Sequence, residues 1–188
     1  NNGNHNTAVG EIALASNITA TGNVAVGNQA LKTNTLGDNN TAVGYLSLAA
    51  NTAAGNTAVG SSALAANTSG SFNTALGKGA LEVNKTAIHN TAVGSQALSA
   101  NKNGVSNTAV GSSALQNNTA SYNTAVGFQS LLGGTGDNNT AVGYAALASN
   151  TSATGNTAVG SNALLGGAGD NNTAVGYAAL ASNEDAIG

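Results

Sequence analysis

Asn40-Thr41-Ala42-Val43-Gly44-Tyr45-Leu46-Ser47-Leu48-Ala49-Ala50-Asn51-Thr52-Ala53-Ala54-Gly55 is followed without a break by Asn56-Thr57-Ala58-Val59-Gly60. The closing pentad copies the opening one after 16 residues. Followed outward in both directions, the same pentad or a near copy starts at Asn6, Asn23, Asn40, Asn56, Asn73, Asn90, Asn107, Asn123, Asn139, Asn156 and Asn172, eleven times in 188 residues. Successive starts lie 16 or 17 residues apart. Eight residues after each start stands a Leu: Leu14, Leu31, Leu48, Leu64, Leu81, Leu98, Leu115, Leu131, Leu147, Leu164 and Leu180. A second Asn follows eleven residues after the start in nine copies, and Gly134 and Gly167 replace it in the other two. Every change of length falls between that second Asn and the next pentad. Insertions confined to one place mark an outer turn, and the fixed spacing marks the part held in register.

A unit this short cannot hold two helices and a turn, since helical repeats run to about 33 residues or more. Thr-Ala-Val suits an extended backbone, and the Gly after it suits a corner or a close backbone approach. The second Asn, exchangeable with Gly, reads as a left-handed turn residue. The pattern predicts an all-β chain, a parallel β-solenoid of about eleven coils. Each coil is expected to carry two short strands, Asn6–Gly10 and Ile12–Leu14 in the first copy. Rungs about 4.8 Å apart give a rod of about 50 Å. Residues 1–5 read as a polar N-terminal leader, 6–183 as the repeat array and 184–188 as a terminal partial coil, with acids in the Asn-Thr slots of a twelfth pentad.

Strand side chains alternate between faces. Asn, Ala and Gly of the pentad therefore share one face, and Thr and Val the other. The Ala is the same in all eleven copies, and the other face carries Val9, Val26, Val43, Val59, Leu76, Val93, Val110, Val126, Val142, Val159 and Val175. Two arrangements fit. A narrow interior accepts only small groups such as Ala, and the Val and Leu ladders meet another chain, because left bare they form a larger apolar patch than a monomer normally shows. Alternatively, Val and Leu fill the coil and Ala faces water. The Asn column can bond along the stack and satisfy backbone groups at the corner, or it can serve turn geometry alone.

Composition narrows the function. Charged residues are 6% and the net charge is −3, the wrong size and sign for a nucleic-acid or anionic-membrane binder. The chain has no Cys, which removes disulfides, thiolate zinc sites and thiol catalysis. No apolar run reaches the length of a membrane span. Two His and seven acids, scattered, assemble no carboxylate pair, triad or phosphate loop. The expectation is a non-enzymatic protein without cofactor or metal.

Tandem N-T-A-V-G-x-x-A-L resembles the head repeats of trimeric autotransporter adhesins of the YadA type, and is similar to the fibre repeats of phage tail-fibre and related surface proteins. The resemblance spans Asn6 to Gly188. It implies a left-handed parallel β-roll wound side by side as a homotrimer, with the Val column in an inter-chain or intra-coil core. It implies an extracellular, cell-surface or virion-fibre location and a role in attachment, with a host receptor, glycan or surface as partner. The repeat here is longer than the shortest of that family.

Smaller signals are weighed alongside. Leu132-Gly133-Gly134-Thr135-Gly136-Asp137 and Leu165-Gly166-Gly167-Ala168-Gly169-Asp170 approach a calcium-binding nonapeptide, but the Asp comes one residue early and the copies are not adjacent, which favours turns. These segments open stretches, 132–150 and 165–183, that are nearly identical at a 33-residue offset. His5 and His89 each precede a pentad and read as exposed corner residues. Tyr45, Phe128, Tyr144 and Tyr177 share the slot after the pentad Gly and are candidates for surface contact. The leading function is a rigid fibre or adhesin segment. Alternatives are a subunit polymerising head to tail and an ice-binding solenoid with a Thr ladder, broken only at Val24.

Overall fold

The computed structural model describes residues 3–166 and 169–182. Each pentad contributes one strand: β1 (Thr7–Val9), β2 (Val24–Val26), β3 (Thr41–Val43), β4 (Thr57–Val59), β5 (Thr74–Leu76), β6 (Thr91–Val93), β7 (Thr108–Val110), β8 (Thr124–Val126), β9 (Thr140–Val142), β10 (Thr157–Val159) and β11 (Thr173–Val175). They form one parallel sheet in chain order, the signature of a β-solenoid. Register is the same at every step: Ala8 pairs with Ala25, Ala25 with Ala42, and so on to Ala174. Like stands over like. Acidic residues Glu184 and Asp185 of the twelfth pentad lie outside the described residues.

The second strand expected in each coil does not form. Ile12 and Leu14 have φ of 60° and 52°, in the left-handed region that no strand tolerates. All eleven Leu of this column share that conformation, with φ between 49° and 52°. Here the chain turns sharply while still bonding to the next coil, as when Leu64 N–H donates to Ala80 O at 3.0 Å. The left-handed reading of the second Asn also fails: Asn34, Asn51 and their equivalents are not among the left-handed residues. Those fall at the Leu, two residues before it, and just before the pentad, as at Asn39, Phe72 and His89. The second Asn is there for its side chain.

From Gly10 to Gly160 the pentad glycines are required twice over. Gly94 has φ +135°, and a Cβ there would stand 2.5 Å from the carbonyl oxygen of Gly111 in the next coil. Every pentad Gly holds a φ between 125° and 136°, which an L side chain rarely adopts.

The core is a file of Ala from the strand facing Leu from the turn. From Ala25 to Ala158 and from Leu31 to Leu164, these side chains are fully enclosed. The interior is therefore not restricted to small groups: a small residue on the strand leaves room for a large one opposite. Burying each Leu is worth about 2 kcal/mol. Only the end coils are uncovered, with β1 wholly exposed.

A further inward column has a rule of its own. Three residues before each pentad stand Gly3, Ala20, Gly37, Ala53, Gly70, Ala87, Gly104, Ala120, Gly136, Ala153 and Gly169, alternating without exception. A Cβ on Gly3, Gly37, Gly70, Gly104 or Gly136 would collide with the carbonyl of the Ala in the following coil. This column admits a methyl in every second coil. The structural period is two coils.

Candidate functional site

The asparagines account for what the corners need. In every step from Asn6 to Asn172, the pentad Asn Oδ1 accepts the backbone N–H of the next pentad Asn at 2.8–3.0 Å. The Nδ2 of Asn90 donates to Gly104 O at 2.9 Å, and that oxygen also accepts from Asn101 Nδ2 at 2.9 Å. The two Asn columns thus close on one carbonyl of the Gly/Ala column, and the same pairing meets at Gly70 and Ala87. Both roles weighed from the sequence operate together, since side-chain links such as Asn84 Nδ2 to Asn67 Oδ1 at 2.8 Å run along the stack as well. Where Gly134 replaces the second Asn, Asn139 Nδ2 covers Gly136 O at 3.0 Å. Gly167 lies outside the described residues. Most of these groups are buried and bonded within the protein, with Asn34 Oδ1, Asn84 Oδ1 and Asn156 Nδ2 left without a hydrogen-bond partner, so the asparagines hold the wall together from inside.

The two apolar columns separate. Leu14 to Leu164 point into the coil, whereas Val9 to Val175, with Leu76 among them, stand on the outer face beside the Thr column. None of the outward Val or Thr is buried: Val110, Val126 and Val159 are each 37% exposed, and Val175 at the end 71%. The alternative in which Ala faces water is overturned, and so is the placing of Leu in an outer ladder. What remains outside is a flat strip of Thr and Val, about 50 Å long.

The corners carry the varied residues. Tyr45, Phe128, Tyr144 and Tyr177 are all exposed, and Phe128 and Tyr144 on adjacent coils stack with centroids 5.8 Å apart and planes 13° from parallel. A second aromatic column lies just before the pentad: Phe72 stacks on His89 at 5.4 Å and 8°, and Tyr122 stands two coils further on. Laying the repeats in register would have revealed it; read singly, these residues carry no signal. His5, in the same column, is likewise exposed.

Among the described residues no charged side chain is buried. Asp38, Asp137 and Asp170 each accept, at 2.7 Å, a backbone N–H from the coil before: Thr21, Ser121 and Thr154. This gives the Asp of the Gly-rich segments a structural task in the turn. Among the described residues no three His, Asp or Glu side chains gather as a metal site. No helix among them is long and apolar enough to cross a membrane.

No family model, curated protein or solved structure matches the chain. The class the geometry defines is a parallel β-solenoid with an enclosed Ala–Leu interior and a regular outer face.

Proposed function

We propose that this chain is a rod segment of an extracellular fibre or adhesin. It serves as a stiff spacer that displays variable corners, a left-handed roll associating side by side as a homotrimer. One observation carries the reading: Thr and Val recur together on the outer face of every coil but two, where Val24 replaces Thr and Leu76 replaces Val, although the Ala and Leu files fill the interior without them. A column fixed in identity yet unburied points to a covering partner, and an identical rod offers a matching repeat at every rung. With Leu inside, the bare apolar ladder is half of what the sequence suggested. The trimer then rests on Val–Thr contact along the full length. Light scattering tests it: a mass three times that of the 17.9 kDa chain supports the proposal, and a monomer at high concentration removes it. Electron micrographs separate finite rods from filaments grown through the exposed β1 edge.

A second reading follows from the exposed Thr column. Hydroxyls repeating at about 4.8 Å on a flat face can order water, as an ice-binding surface requires. Thermal hysteresis at micromolar protein is the measurement, and a freezing point equal to the melting point retires the idea.

A further inference from the structure

Two corner columns carry the same order of side chains. The column before the pentad reads Phe72, His89, Ser106 and Tyr122 from β5 to β8, and the column after the pentad Gly reads Phe128, Tyr144, Ser161 and Tyr177 from β8 to β11. Each is ring, ring, Ser, ring. In both, the first two rings stack on adjacent coils. The backbone beneath is regular. Phe72, His89, Ser106 and Tyr122 share φ values of 56–61°. In the other column the carbonyls of Phe128, Tyr144 and Ser161 accept N–H groups of the next coil at 3.0, 2.9 and 2.9 Å. The third ring therefore stands two coils from the second, about 10 Å away. Stacked rings sit about 5 Å apart, so each gap has room for one incoming ring, with an aromatic side chain above and below and a Ser hydroxyl at its floor.

We propose that each gap is a subsite for one pyranose ring of a neutral saccharide. A pyranose offers C–H faces to the two flanking rings and hydroxyls at its rim to Ser106 or Ser161 and the Tyr hydroxyls. Lys, Asp and Glu are absent from these positions and from the residues next to them in sequence, which disfavours phosphorylated or sulfated ligands. A Phe side chain from a protein partner would meet a polar floor it cannot bond, and a Tyr or Trp would bring one polar group where a pyranose brings several. The inference rests on the reading of the rod as a display element and assigns the class of ligand its corners meet.

The test uses the whole chain and panels of neutral gluco-, galacto- and manno-oligosaccharides, followed by saturation-transfer NMR and calorimetry. The decisive variant combines Ser106→Tyr and Ser161→Tyr, which fill the gaps while adding aromatic surface. Tyr is tolerated at this φ, since Tyr122 adopts 61° in the same column. At least one neutral series should bind saturably, and the double variant should weaken that binding about tenfold or more. The proposal is overturned if no series binds at millimolar concentration, or if the double variant binds as well as the parent. Tighter binding of p-cresol or of a sulfated saccharide overturns it too. The mass of each protein keeps the two readings apart. Rods that assemble but bind no saccharide sink the subsites alone, and a saccharide-binding monomer sinks the trimer alone.

Discussion

The inside and the outside of this rod repeat for different reasons. Inside, Ala92, Leu98, Asn90 and Asn101 are fully enclosed, and each neighbouring coil dictates what stands there. Outside, Thr91 and Val93 belong to columns broken only once each, at Val24 and Leu76, while remaining partly open to solvent. The corner columns, equally exposed, vary from Gly to Lys to Tyr. Exposure alone thus permits variation, and the near-constant Thr–Val strip stands apart from the other exposed columns.

The largest break in this comparison comes from the backbone. Gly94→Ala places a methyl 2.5 Å from Gly111 O at an unfavourable φ, and should cost about 4 kcal/mol or more in urea unfolding. Leu98→Ala opens a cavity in the Leu file and should cost about 3 kcal/mol by the same measurement. Asn90→Ala leaves Asn107 N–H without its acceptor and Gly104 O with one donor fewer. A loss of about 2 kcal/mol is expected, with faster amide exchange at Asn107. The outer face sharpens the contrast. Val93→Ser in an isolated coil stack should change stability by no more than about 0.5 kcal/mol. In an assembled trimer the same change, with Val110→Ser, should lower the association constant seen by sedimentation. Equal effects at Leu98 and Val93 on the dissociated chain would erase the distinction.

Much of the fold was legible because spacing survives every insertion. The Ala, Asn and Leu files follow from counting residues, and stacked register follows from the files. The turn at Leu14 was not legible: residue preference assigns a left-handed backbone to Gly or Asn, while here closure of the coil imposes it on Leu and gives the second Asn an internal bonding task. The same closure turned Leu inward. The Tyr and Phe after the pentad Gly were visible as a slot, and the column at Phe72, His89 and Tyr122 lay at an equally fixed place just before the pentad, but the stacking of its rings follows only from the coil register.

The Gly/Ala alternation gives the rod a parity. Excising one coil would set Gly beside Gly or force two methyls into successive layers, whereas excising two leaves every neighbour as it was. Length in such a molecule changes by doublets, and the near-identity of 132–150 and 165–183 has the form of one doublet copied onto the next.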